Sequence, residues 1–202
     1  MTNADTAQGR RVVANISLSL DGRVSGPGGD HDMSWVARHA VSDAPREVMT
    51  RMMDSATTAL VGRKNYEGFG GYWPAVARDE SADPRDRGYG RWLDAVEKVA
   101  FSRTLTEPSW ENSRVSADLI GEVKRLRAQP GGDIYVLNST SVITALLDAG
   151  EVDRLVIVLC PEISGGGARL FEGGPPATSW TLTDLATSET GAVCLTYDKV
   201  TA

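Results

Sequence analysis

The sequence predicts an α/β fold, with a central mixed, mostly parallel sheet flanked by helices and closed by an antiparallel C-terminal hairpin. Three observations carry this. Short apolar runs alternate with segments of helical period along the chain. At Gly62 and again at Asn138, an apolar run ends in a polar turn that leads straight into a helix. The last two runs, Trp180 to Thr187 and Ala192 to Val200, lie on either side of Glu189-Thr190-Gly191, which is a hairpin pattern.

The first run, Val12 to Leu20, is apolar at 12, 14, 16, 18 and 20, with Asn15, Ser17 and Ser19 between. A period of two predicts a strand with one face in the core. Asp21-Gly22 ends it, and a glycine-rich loop over Ser25 to Asp30 runs on towards Trp35. Ser42 or Asp43 suits a helix cap, with Pro45 in the first turn and Val48, Met49, Met52 and Met53 as the apolar stripe. A buried strand follows over Thr57 to Val61, turned by Gly62. Gly70 to Asp94 is rich in Gly, Pro, Arg and Asp and reads as a long loop pinned by Tyr72, Trp73, Tyr89 and Trp92.

Glu97 to Phe101 is a short strand, and Ser113 to Ser116 adds brief extended structure. Ser116 is placed to cap a helix with Leu119, Val123 and Leu126 on one face, stopped by Gly131-Gly132. Ile134 to Leu137 is a buried strand. Asn138-Ser139-Thr140-Ser141 then opens a helix that turns Val142, Ile143, Leu146 and Leu147 inward. Leu155 to Cys160 is continuously apolar, the mark of a strand buried on both faces.

The chain has 202 residues, 41% of them hydrophobic, which suits one domain over 11–202 preceded by a polar, flexible tail over 1–10. A formal net charge of −6 argues against a general nucleic-acid binder, which needs a basic face. No apolar run approaches the length of a membrane span. Cys160 and Cys194 sit in apolar runs and read as buried thiols of a cytoplasmic protein. His31 and His39 have no partners at metal-ligand spacing, so no metal site is predicted.

Ligands of open α/β sheets bind at the carboxyl ends of strands. Three polar groups fall at such ends: Gly62-Arg63-Lys64-Asn65, Ser102-Arg103-Thr104 and Asn138-Ser139-Thr140-Ser141. The first backbone N–H groups of a helix have no partner within it and attract anions, and arginine grips a phosphate with two parallel hydrogen bonds. The same residues would serve as plain caps and solvated turns. Their convergence on one extended phosphorylated ligand is the more economical reading. Three cations, Arg63, Lys64 and Arg103, exceed what one diphosphate needs and favour NADPH over NADH.

Read together, several segments resemble a known family. They are Ser19-Leu20-Asp21-Gly22 with the glycine-rich loop and Trp35, Val61-Gly62-Arg63-Lys64-Asn65-Tyr66-Glu67, and Tyr72-Trp73-Pro74. Further on come Phe101-Ser102-Arg103-Thr104-Leu105, Ala149-Gly150 with Val152-Asp153, and Gly165-Gly166-Gly167-Ala168-Arg169-Leu170-Phe171. In order and spacing these are similar to the dihydrofolate reductase-like proteins, in the branch related to the reductase domain of the bifunctional riboflavin-biosynthesis deaminase-reductase. The resemblance implies an NADPH-dependent reductase. It assigns cofactor phosphate and the nicotinamide side to Gly62 to Asn65, the adenosine 2′-phosphate to Ser102 to Thr104, and the pyrophosphate to Asn138 to Ser141.

The chain departs from that pattern at several points. Asn65 stands where the family has Thr, and Asn138 where it has Gly. No carboxylate follows Trp35 closely, Asp43 being the nearest, so folate is not the expected substrate. The deaminase zinc motif has no counterpart.

These features imply hydride transfer from NADPH to a C=N or C=O bond of a small polar substrate of pterin, pyrimidine or imine type. Asp21 and His39 are the candidate proton donors. Asp21, Trp35 and Tyr66 are the candidate substrate contacts. The alternative is a non-catalytic nucleotide- or flavin-binding protein using the same cleft. Related domains commonly pair, and the final hairpin is compatible with a homodimer.

Overall fold

A computed structural model describes residues 9–29 and 32–200. The tail expected over 1–10 therefore falls outside the described residues as far as residue 8, as do Asp30 and His31 of the glycine-rich loop. Arg10 is already buried, its guanidinium donating to Gly132 O and to the hydroxyls of Thr57 and Thr58.

The eight strands among the described residues are β1 (Val12–Ser19), β2 (Ala56–Gly62), β3 (Glu97–Phe101), β4 (Ser113–Ser116), β5 (Asp133–Leu137), β6 (Arg154–Cys160), β7 (Trp180–Thr187) and β8 (Val193–Lys199). They form one sheet in the order β4-β3-β2-β5-β1-β6-β8-β7. The first six run parallel, and β8 and β7 complete the sheet antiparallel. The mixed sheet and final hairpin are those expected from the sequence.

β1 lies between β5 and β6 and is buried at all eight positions. The sequence pattern implied one core face. In fact Val13 joins the core on one side of the sheet and Val12, Ala14, Ile16 and Leu18 the core on the other. Its polar residues Asn15, Ser17 and Ser19 are therefore buried too. β6 departs in the opposite sense, since Ile157 and Leu159 are only half-buried where both-face burial was expected.

Helices cover both faces. α1 (Ala37–Ala40) is a single turn ahead of α2 (Asp43–Ser55). α2 packs on one face with α3 (Arg63–Arg78) and α4 (Pro84–Ala95), while α5 (Leu119–Arg127) and α6 (Thr140–Asp148) pack on the other. The α5 cap is Asp118, whose carboxylate accepts from Gly121 N at 2.9 Å. Ser116, the expected cap, is the last residue of β4.

The long loop expected over 70–94 does not exist. α3 runs through Gly68, Gly70, Gly71 and Pro74, and α4 occupies most of the remainder. Composition concealed a helical stripe. Tyr66, Phe69, Trp73 and Ala77 recur at helical spacing and face the core. Pro74 lacks an N–H, but that costs one rung of the helix, and packing outweighs it. Asp83 caps α4 by accepting from Arg85 N, with Pro84 at the first helical position. Three of the four aromatics do pin this region: Trp73 meets Tyr89 edge-on at 4.5 Å and Tyr89 stacks on Trp92. Tyr72 is the exception and is exposed.

α3 and α4 approach so closely that a Cβ on Gly90 would lie 2.8 Å from Trp73 O and 2.9 Å from the Ala77 methyl. At the far end of α4 the fully buried Lys98 donates to Leu93 O and Val96 O. Burial pulls its ammonium down to about 8, with Asp94 and Glu111 opposing.

Past the carboxyl ends of β1 and β6, two glycine-rich loops hold one another. Val24 N donates to Ala168 O, and Ala168 N to Ser25 Oγ. Gly167 adopts φ +87°, and a Cβ there would stand 2.1 Å from Ser25 O, so only glycine fits. Asp21 is the clamp. One carboxylate oxygen accepts from the Ser19 hydroxyl at 2.7 Å and from Ser164 N at 2.9 Å, and the other from Gly165 N at 3.2 Å. The Ser19 and Ser164 hydrogen bonds lower its pKa from 3.8 to about 2.

Two tests follow from this packing. Gly90→Val is expected to lower stability by about 1–3 kcal/mol through overpacking of backbone that cannot yield, read by chemical denaturation. Because the folded pKa of Asp21 is depressed, its contribution is complete above the ordinary value of 3.8 and is lost as pH falls through about 2. Amide-exchange protection at Ser164 and Gly165 should fall over that window, and Asp21→Asn should abolish the pH dependence.

Candidate functional site

Parallel pairing sets β3, β2, β5 and β1 side by side, so three of the polar groups emerge at one edge of the sheet. Gly62 pairs with Phe101, immediately before Ser102, and Leu60 with Val136, just before the end of β5. Side chains then tie the groups together. Gly62 N donates to Ser139 Oγ at 2.9 Å. Asn65 Nδ2 donates to Asn138 O at 2.8 Å and Leu137 O at 3.2 Å. Arg63 Nη1 donates to Thr104 Oγ1 at 2.9 Å, while its Nε meets Glu67 one turn along α3. Thr104 belongs to a tight turn in which Ser102 Oγ accepts from Thr104 N and Leu105 N.

Two helices begin at this edge. Gly62 leads α3 and Ser139 leads α6, and neither helix has a side-chain cap. Ser139 is the residue type for a cap, yet its hydroxyl accepts from Gly62 N and donates to Leu137 O. A Cβ on Gly62 would meet Ser141 Oγ and Val142 Cγ2 at 3.6 Å, which shows how near the start of α6 lies to the end of β2. Two positive helix ends, the exposed Arg63, Lys64 and Arg103, and the hydroxyls of Thr140 and Ser141 make a donor set suited to an anion. The donor set fits the phosphates of a dinucleotide.

The residues singled out in the sequence thus divide into two groups. Gly62, Arg63, Lys64, Asn65, Ser102, Arg103, Thr104, Asn138, Ser139, Thr140 and Ser141 share one edge. Within it Ser139 and Asn65 hold the edge together, whereas Arg63, Arg103, Lys64 and Ser141 are exposed.

Three of the other candidates are otherwise engaged. Tyr66 is 1% exposed; its hydroxyl accepts from Trp110 N and bonds Ser113 Oγ, so it is a core residue and no substrate contact. His39 is wholly buried, with Nδ1 at 2.9 Å from Thr190 Oγ1 and Nε2 at 3.1 Å from Glu162, so its protons do not reach a ligand. Asp21 is engaged by the loop clamp, in which both carboxylate oxygens accept hydrogen bonds that hold its pKa low. Trp35 stays half-buried against the core, its Nε1 shielded and without a partner among the described residues.

Some structural partners were not foreseen. Glu162 receives both His39 and Arg38, whose bonds keep its pKa low, and so anchors α1 to the end of β6. Asn15 joins the Asn138 side chain beneath the site. A polar residue in a strand was the available signal, and it became informative only once β1 proved central. No helix among the described residues is long and apolar enough to cross a membrane.

Comparison with known proteins agrees with this architecture. The uncharacterized protein YyaP of Bacillus subtilis (strain 168) is 27% identical over 188 residues, covering 93% of this chain and 94% of that one. A putative riboflavin biosynthesis protein from Shewanella sp. PV-4 superposes with a TM-score of 0.70 at 18% identity, over 95% of this chain and 99% of that one. Dihydrofolate reductase from Enterococcus faecalis, complexed with NADP(H) and RAB-propyl, gives a TM-score of 0.57 at 14% identity, over 94% and 96% of the two chains. The fold is therefore dihydrofolate reductase-like. The family model of the RibD C-terminal domain matches residues 10–194, and the chain belongs to that family.

Proposed function

We propose that the chain is an NADPH-dependent reductase that transfers a hydride to a C=N or C=O bond of a small polar substrate of pterin, pyrimidine or imine type. The observation that carries this reading is the pair of helix N-termini without side-chain caps at adjacent strand ends, bridged towards Ser102-Arg103-Thr104 by Arg63. Such an edge suits an elongated ligand with a phosphate at each of two places. The NADP(H) complex of the like-folded Enterococcus dihydrofolate reductase supports the choice of cofactor.

In this reading the backbone amides at the starts of α3 and α6 hold the pyrophosphate, with Thr140 and Ser141 adding hydroxyls. Arg63 and Arg103, with Ser102 and Thr104, take the 2′-phosphate, and Lys64 adds charge at the same edge. Bound NADPH supplies the hydride. The protein holds the nicotinamide against the substrate and excludes water. Trp35, half-accessible at the end of the glycine-rich loop, is assigned to the substrate side. With Asp21 and His39 both committed elsewhere, the accompanying proton is taken from water. The same commitment favours the second reading, a non-catalytic nucleotide- or flavin-binding protein. We also infer a cytoplasmic setting, which suits two free buried thiols, and pairing of two copies through the exposed edge strand β7.

Titration with NADPH and, separately, NADH, followed by nicotinamide fluorescence, tests the cofactor. NADPH should bind with clear preference. Arg63→Ala and Arg103→Ala should each weaken NADPH by about 10-fold or more and NADH far less, since each removes a charged hydrogen bond. Binding of neither dinucleotide would sink the proposal. NADPH binding without oxidation across a panel of pterins, pyrimidines and cyclic imines would leave the non-catalytic reading in its place.

A further inference from the structure

Two of the departures from the family's pattern, Asn65 and Asn138, belong to one network. Asn138 has φ +44°, the left-handed conformation that glycine adopts freely and most residues avoid. Its side chain reaches the neighbouring strand of the sheet, where Nδ2 donates to Asn15 Oδ1 at 3.2 Å. Asn15 is itself 4% exposed and anchored, its Nδ2 donating to Val156 O on β6 at 3.3 Å. From the other side, Asn65 of α3 reaches over the turn and donates to the carbonyls of Leu137 and Asn138. Two asparagines, Asn15 from β1 and Asn65 from α3, thereby fix Asn138 in the β5–α6 turn from both its side chain and its carbonyl.

We infer that Asn15, Asn65 and Asn138 form a single positioning unit that builds the left-handed turn before α6 without glycine, and so aims the first amides of α6 at the bound phosphate. Asn15 contacts no ligand and acts through Asn138. An asparagine at positive φ is tolerated at a cost that side-chain bonds offset. A buried donor or acceptor left without its partner costs more than the bond contributes. Asn138 therefore keeps its backbone conformation only while Asn15 receives its side chain. A glycine at 138 would need no such help. The departure at 65 fits the same logic: asparagine reaches two carbonyls that a threonine hydroxyl in its place would not span. The ligand half of this inference rests on the NADPH reading; the geometric half does not.

A double-mutant cycle separates the two halves. Asn15→Val is expected to weaken NADPH about tenfold in the native background and less than about twofold in the Asn138→Gly background. In the protein without ligand, the same substitution should lower amide-exchange protection at Ser139 to Ile143 in the native background only. Melting temperature checks that each variant is folded, and Asn15→Ser replaces Asn15→Val should the latter not fold. Equal losses of protection in both backgrounds would overturn the inference, because Asn15 would then act independently of the turn. No loss in either background would overturn it as well. A protein that binds no NADPH but shows the background-dependent protection would refute the cofactor reading and leave the positioning unit standing.

Discussion

Parallel strand pairing is the constraint on which the rest depends. Antiparallel neighbours would send consecutive strand ends to opposite edges of the sheet. In the parallel run β3-β2-β5-β1, every carboxyl end reaches the same edge, and the helix that follows each of two of those strands starts there. The positive ends of α3 and α6 are thus neighbours because of the topology. Such an arrangement concentrates unpartnered N–H groups, which favours either capping side chains or an anion. Here the obvious cap, Ser139, spends its hydroxyl on linking β2 to β5.

The burial of β1 extends that constraint inward. A central parallel strand covered on both faces has nowhere to put a polar side chain except into a hydrogen bond. Asn15 meets this demand by joining Val156 O and the Asn138 side chain. Ser19 meets it by serving Asp21 and the Arg23 amide. Buried polar residues along one strand are thereby connected to two different loops at its end: the turn before α6 and the clamped pair of glycine-rich loops. Fixing β1 in register fixes both.

Much of this was legible in the sequence, and what was missed has physical causes. The strands, the hairpin and the three polar groups followed from apolar period and from turn residues, since those signals are local. The helices over 63–95 were hidden because glycine, proline and arginine lower intrinsic helix preference, whereas tertiary packing of Tyr66, Trp73, Tyr89 and Leu93 decides the matter. Chemistry suggested Tyr66 as a substrate contact and His39 as a proton donor, but side-chain direction is a tertiary property. One ring entered the core beneath Trp110, and the other turned to Glu162 and Thr190, more than a hundred residues away along the chain. Asp21 lay where expected, at the end of β1, yet its backbone partners Ser164 and Gly165 come from the loop after β6, which no local pattern announces.

The arginines of this acidic chain are held with different strength, and those gripped by carboxylates have the most to lose. Arg11 and Arg154 grip Asp133 and Asp198 through two hydrogen bonds each, and Arg127 is held by Asp153, Glu151 and Arg10 O. Withdrawing any of these would strand a partner of opposite charge. Arg63 is differently placed. Its ion pair with Glu67 is half-exposed on both sides and lies within one helix, the kind of pair that contributes least. Its other bond is to the exposed hydroxyl of Thr104, which water can replace. A phosphate arriving between α3 and the turn after β3 would take the guanidinium from partners that lose little by releasing it. The loss of the Glu67 pair would be smaller still at physiological salt, where exposed charges are screened and a doubly charged phosphate competes well. Redirecting a weakly held arginine costs less than recruiting a firmly held one, so Arg63, which joins the start of α3 to the turn after β3, is given to a ligand more easily than Arg11, Arg127 or Arg154.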